Sequence, residues 1–137
     1  MTYSITEVVE HSGASADTLR YYEKIGLIDP PSRDTAGRRT YTERDVLWIA
    51  FLLRLRGTGM PIRLMQEYAD LRRLGDTTAR RRRDILVDHR AEIRSRMDEL
   101  RSVLDVLDRK ITDYDKNLAG DTVAINEPTV DSQEELV

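Results

Sequence analysis

Two short blocks hold the side chains best suited to gripping a polyanion. The first is Thr18-Leu19-Arg20-Tyr21-Tyr22-Glu23. The second is Gly37-Arg38-Arg39-Thr40-Tyr41, with Arg33 a few residues ahead of it. A guanidinium presents a planar fork of donors that matches phosphate oxygens and base edges two bonds at a time. A tyrosine hydroxyl donates to phosphate oxygen. On a helix advancing about 100° per residue, Leu19 and Tyr22 share one side with Ile25 nearby. Thr18 and Tyr21 share another, flanked by Asp17 and Lys24, and Arg20 lies between the two. The apolar side must pack inward, so the other side can enter a major groove while Arg20 reaches phosphate. The competing reading makes the tyrosines core or boundary residues; for Tyr22 the two readings balance, whereas Arg20 and Tyr21 favour contact. Paired arginines at a hairpin tip can hold flanking phosphate or reach the minor groove, against the plainer alternative of a solvated basic loop.

Other chemistries find little support. The 137 residues include no cysteine, which excludes disulfides, thiolate metal sites, iron–sulfur clusters and cysteine redox sensing. His11 and His89 lie outside any metal-ligand spacing; His11 reads as an exposed helix-end residue and His89 as a boundary residue. No nucleophile–base set, glycine-rich phosphate loop or metal motif is present, so neither an enzyme nor a cofactor is expected. Acidic residues sit instead at charge-pair spacing, as in Glu92→Arg96. No apolar run approaches the roughly 18 residues of a membrane span. The start, MTYSITEVVE, lacks a basic patch and an apolar signal segment, which predicts a cytoplasmic protein with no membrane partner. The formal net charge of −3 hides an uneven distribution. Residues 1–118 carry 22 cationic and 20 acidic side chains, and residues 119–137 carry five acidic ones and no cation. Nineteen of the 22 cations are arginine, which suits phosphate contact but also follows from GC-rich coding.

The elements that must position these blocks can be read in order. Residues 4–12 predict a short helix capped by Thr6, with Val8 and Val9 inward and Gly13 as its stop. Ser15 caps a second helix that Gly26 ends, with Leu27 and Ile28 tucked beneath it. Helix, short glycine turn, helix is the spacing of a helix-turn-helix. Pro30-Pro31 forbid helix, and Leu27-Ile28 with Arg39-Thr40-Tyr41 predict the strands of a small hairpin, a wing. Thr42 and Asp45 resemble a capping box with Asp in the Glu position. The third helix, 44–58, offers Val46, Leu47, Ile49, Ala50, Leu53 and Leu55 as an apolar surface. Pro61 opens a fourth, with Ile62, Met65, Tyr68, Ala69 and Leu71 inward. Trp48, Phe51 and Tyr68 read as core rather than a ligand box, with a cleft against a partner's long helix as the reservation.

Residues 76–118 carry a second strong pattern. From Leu86 through Arg90, Ile93, Met97, Leu100, Leu104, Leu107, Ile111 and Tyr114 to Leu118, the spacing alternates 4 and 3. That is a heptad seam with Arg90 as its one charged position. So narrow a stripe on so long a helix needs a second helix, and the simplest one is the same helix of another copy. The run Arg80-Arg81-Arg82-Arg83 reads as a solvated face neutralised by Asp76, Asp84 and Asp88, with groove binding as the alternative. The tail, 119–137, is acidic and aperiodic and is expected to be disordered. Three regions result: 1–75 with the DNA-binding motif and connector helices, 76–118 for dimerisation, and 119–137.

The blocks TLRYYEKIGLI (18–28), GRRTY (37–41), TERDV (42–46) and RGTGMPI (56–62), followed by the long helix, resemble the MerR family of bacterial transcription regulators over about residues 1–118. The resemblance implies a mainly α fold, a winged helix-turn-helix joined to its copy by an antiparallel coiled coil. It implies a homodimer on a pseudo-palindromic promoter operator, distorting double-stranded DNA and so acting on RNA polymerase indirectly. By position, Arg20, Tyr21 and Tyr22 take the helix contacts, and Arg38, Arg39 and Tyr41 fall in the wing. Ser15 and Thr18 are further contacts, and Tyr3 and Ile5 lie where the first helix meets the phosphate backbone. The chain departs from metal- and redox-sensing members in lacking cysteine and from multidrug-sensing members in lacking a ligand domain, so a small-molecule effector is left open. The alternative is a coiled-coil interaction module, like chaperone-modulating relatives of this fold, against which the RYYE and GRRTY blocks argue.

Overall fold

The structure, a computed structural model, describes residues 1–120; the expected acidic tail lies outside them from residue 121 on. The element order is β1 (Thr2–Ser4), α1 (Ile5–Ser12), α2 (Ala16–Lys24), β2 (Ser32–Arg33), β3 (Arg39–Thr42), α3 (Glu43–Gly57), α4 (Ile62–Leu74), a 3-10 turn (Asp76–Thr78) and α5 (Ala79–Leu118). The fold is mainly helical with a small sheet, as expected.

Local chemistry explains most boundaries. Ser4, not Thr6, caps α1: its Oγ accepts from the Glu7 N–H at 3.2 Å and Glu7 Oε1 accepts from the Ser4 N–H at 3.1 Å. The acidic residue three positions on closes this reciprocal pair, and Thr6 is left inside the first turn. Gly13 ends α1 at φ 77°, a left-handed turn that suits glycine. Ser15 caps α2 as expected, accepting from the Thr18 N–H at 3.1 Å. Thr42 and Asp45 complete both halves of their capping box at the start of α3.

Leu27 and Ile28 are tucked under α2 and buried. They do not form the first strand of the wing: both N–H groups return to the Tyr22 carbonyl, which spends the donors a ladder would need. Ser32–Arg33, just past the two prolines, takes that role and pairs with β3 as Ser32↔Thr40 and Arg33↔Arg39. The sequence reading also missed β1. It pairs with the other edge of β3, giving the order β1-β3-β2 and fastening the N-terminus to the wing.

The core gathers Val8, Leu19, Tyr22, Leu27, Ile28, Tyr41, Ile49, Leu52, Met60, Met65, Ala69 and Ile85. Leu47, expected on the apolar face of α3, is 66% exposed. It sits about 200° around the helix from Ile49. Leu52, not singled out in the sequence, is fully buried.

The chain forms two compact units that divide within α5, between Ala91 and Glu92. The first turns of α5 pack into the N-terminal unit through Ile85 and Leu86. His89 is corrected from a boundary residue to a buried one, 7% exposed, because the Thr58 hydroxyl bonds its Nε2 at 2.8 Å and satisfies the buried ring nitrogen. In the second unit the seam residues Met97, Leu100, Leu104, Leu107, Ile111, Tyr114 and Leu118 are exposed. The 40 residues of α5 span about 60 Å. No described helix is long and apolar enough to cross a membrane.

Candidate nucleic-acid interface

The α2 surface is split as its periodicity requires. Leu19 and Tyr22 face the core, while Tyr21 is half exposed and Arg20 lies at the surface beside Asp17 at 3.1 Å. The Ser15 and Thr18 hydroxyls, 2.9 Å apart, sit at the N-terminus of the helix. Two expected contact residues lie deeper than the others. Tyr22 is 4% exposed and Tyr41 2% exposed, so both rings belong to the core. Burial pushes both phenol pKa values up, offset in part by Arg56 near Tyr22 and Arg39 near Tyr41.

The wing turn is built by Asp34. Its N–H donates to the Arg38 carbonyl and its carbonyl accepts from the Gly37 N–H. Its Oδ1 accepts from the N–H groups of Ala36 and Arg38, each at 2.9 Å. The Arg38 N–H is the largest cause holding this carboxyl below the usual carboxylate range, with Ala36 assisting. Gly37 takes the positive φ, 79°, that such a three-residue hairpin turn needs. Arg33 Nη1 donates to the Gly37 carbonyl at 2.7 Å, and Arg38 projects into solvent at the tip. Arg39 behaves differently. Its Nε donates to Glu23 Oε1 at 3.0 Å with both side chains about three-quarters buried, tying the wing to α2. Glu23 is a residue the sequence reading left without a role.

These parts enclose one groove of about 660 Å³. Tyr3 and Ile5 come from the β1–α1 junction, Arg20 from α2, and Arg33, Arg38 and Arg39 from the wing. Its two acids are engaged within the fold: Glu7 in the α1 cap and Asp34 in the wing turn. The groove therefore presents four guanidinium groups, and five of the ten expected contact residues converge on it.

A second arrangement aims α2. Three successive carbonyls after the helix each accept from a side chain of α3 or α4. Gln66 Nε2 donates to Ile25 O at 3.1 Å, Arg73 Nη2 to Gly26 O, and Trp48 Nε1 to Leu27 O at 2.9 Å. Arg73 also pairs with Asp29 at 2.9 Å and Asp70 at 3.0 Å. Trp48 is held in turn by stacking on Tyr68 (centroids 5.9 Å apart, planes at 18°), by Phe51, and by the Arg72 guanidinium 4.2 Å over its ring. The aromatic trio is thus half-buried packing whose polar edge steadies the end of α2. Gln66 and Arg73 stand more than forty residues from their partners, so no local pattern marked them. Arg73→Met should lower DNA affinity about tenfold with a melting point reduced by only a few degrees, since the bond to Gly26 O carries about 1.5–3 kcal/mol while the two ion pairs to the exposed Asp29 and Asp70 add little. Undiminished binding in a gel-shift titration would show that this clamp does not aim α2.

The arginine run joins elements. Arg81 pairs with Glu67 of α4 at 2.8 Å, Arg82 donates to Thr78 Oγ1 at 3.0 Å, and Arg83 lies 3.5 Å from Asp84. The solvated-face reading holds for Arg83, while Arg81 and Arg82 brace the start of α5.

Known proteins resemble this chain in sequence and fold. The family model of MerR HTH family regulatory proteins matches residues 3–71, and that of the MerR DNA-binding region matches residues 46–110. An uncharacterized HTH-type transcriptional regulator of Haemophilus influenzae is 34% identical over 131 residues, 95% of this chain and 97% of its own. The HTH-type transcriptional regulator AdhR of Bacillus subtilis is 41% identical over 90 residues, 66% of this chain and 64% of its own. Among solved structures, HiNmlR, a MerR family regulator lacking the sensor domain and bound to promoter DNA, aligns with a TM-score of 0.83 at 32% identity, covering 93% of this chain and 98% of that one.

Proposed function

From the premise that the chain belongs to the MerR family of helix-turn-helix transcriptional regulators, we propose that it binds a pseudo-palindromic promoter operator as a homodimer and distorts it. It is a regulator and not an enzyme. The carrying observation is the four-arginine groove beside the surface of α2 that carries partly exposed Thr18 and half-exposed Tyr21. In this reading Arg20, Arg33 and Arg38 grip phosphate, Thr18 and Tyr21 face the major groove, and Ser15, Tyr3 and Ile5 border the backbone. Arg39 contributes chiefly by holding the wing on Glu23. Residues 1–75 supply the reading head and its connector, and 76–118 supply dimerisation through Leu86, Ile93, Met97, Leu100, Leu104, Leu107, Ile111, Tyr114 and Leu118. The exposure of most of that seam supports a second copy as its cover, arranged as an antiparallel coiled coil. Two heads related by a two-fold axis read half-sites about 34–36 Å apart, or a multiple of that span. RNA polymerase is then affected through the DNA, in a bacterial cytoplasm. A small-molecule effector has no assigned site.

Selection of genomic fragments with the purified protein tests this. The expected result is a shared inverted repeat located in promoters, bound with an affinity that falls as salt rises. Recovery of fragments with no common sequence would overturn it.

A further inference from the structure

We propose that α5 pairs with α5 of a second copy in one antiparallel register centred on residue 102, selected by the charges that flank its seam. This rests on the dimeric reading above and specifies its geometry.

Parallel pairing conflicts with the sequence. Each seam layer would meet itself, placing Arg90 against the partner's Arg90, and Arg96 would face the partner's Arg101 across the flank. Antiparallel pairing removes both conflicts but leaves registers one heptad apart to choose among. The flanking row Arg94, Arg101, Asp108, Asp115 is basic in its first half and acidic in its second. Helical side chains lean toward their own N-terminus. In the register centred on 102, that lean brings Arg94 to the partner's Asp115 and Arg101 to the partner's Asp108, and symmetry doubles each pair. A slide of one heptad in one direction sets Arg101 against the partner's Arg101. The opposite slide sets Asp108 against the partner's Asp108. The middle register alone of these three avoids like charges in this row. It also matches the seam from end to end, Leu86 with the partner's Leu118 and Leu100 with the partner's Leu104. Arg90 then lies on the partner's Tyr114, whose ring accepts a guanidinium on its face.

Val103 supplies an independent observation. Among the described residues of α5, it is the exposed large apolar side chain that is off the seam, at 47%. In this register it lies beside the two-fold axis, against the partner's Val103, and loses its exposure. A slide of one heptad carries the two valines roughly 10 Å apart along the axis.

The absence of cysteine makes the test clean. Val103→Cys in the full chain should give a covalent dimer nearly to completion on mild oxidation, and Asp108→Cys should not. Arg101→Glu should raise the dimer Kd about tenfold or more by sedimentation equilibrium, because two attractive pairs become repulsive. Adding Asp108→Arg should restore it to within about threefold. A dimer in which Val103→Cys stays uncrosslinked, or in which the charge swap is not rescued, overturns the register and leaves the dimer standing. A wild-type chain that sediments as a monomer overturns the dimeric reading itself.

Discussion

Leu100→Asp combined with Leu104→Asp should yield a folded monomer whose operator affinity is about 10²–10⁴-fold weaker than that of the parent protein. Both side chains are exposed in the isolated chain, so the substitutions remove no intramolecular packing. In the paired state the two positions face each other, and four carboxylates would have to leave water together. Unpaired burial of ionised groups costs several kcal/mol apiece, more than a two-stranded seam can offset. The operator effect follows from linkage. Two heads on one dimer make the second half-site contact intramolecular, and a monomer loses that gain without losing a single DNA contact. Sedimentation equilibrium, far-ultraviolet circular dichroism and gel shifts at fixed salt measure the three quantities separately. A variant that remains dimeric, or a monomer that binds as tightly as the parent, would sink the idea that α5 joins the reading heads.

The second large effect is expected at Arg20. Its partner within the chain is the exposed Asp17 on the same helix, and pairs of that kind contribute little to stability. Arg20→Ala should therefore melt as the parent does yet bind operator about 5–150-fold more weakly, the range of one good phosphate or base contact at 1–3 kcal/mol. The salt dependence separates the two kinds of contact: loss of a phosphate contact reduces the log–log slope by about one, and loss of a base contact relaxes sequence preference instead. Arg39→Ala is the informative contrast. Its guanidinium is engaged by Glu23 at 3.0 Å and mostly buried, so the loss should appear in both melting and binding. Equal behaviour of the two variants would mean that the groove does not distinguish a contacting arginine from a bracing one.

Features carried by neighbouring residues were legible in the sequence. The Ser15 and Thr42 caps and the Gly13 stop depend on side chains a few positions apart and were read correctly; the long helix was read from residue 76, where a 3-10 turn precedes the start of α5 at Ala79. Leu19 and Tyr21 were placed on the correct sides of α2 by angle alone. What escaped reading was set partly by local competition for the same backbone groups and partly by tertiary contacts. Ser4 displaced Thr6 because Glu7 could close a cap. Leu27 and Ile28 were lost to the wing because the end of α2 claimed their amides. Tyr22 shares the inward side of α2 with Leu19, so its packing followed from the helix period, whereas nothing near Tyr41 in sequence marked its ring as buried. The Gln66, Arg73 and Trp48 donors meet their carbonyls across 21–47 residues.

Those three donors have a mechanical consequence. With Ile25, Gly26 and Leu27 each anchored to the helices behind them, the reading head resists rocking, and one loosened bond is backed by two others. Bending a site of 20–30 base pairs by 40–90° stores about 1–6 kcal/mol in the duplex. In the proposed distorted complex a head held this way would yield less than the duplex, so elastic strain at a mismatched operator would accumulate in the base steps.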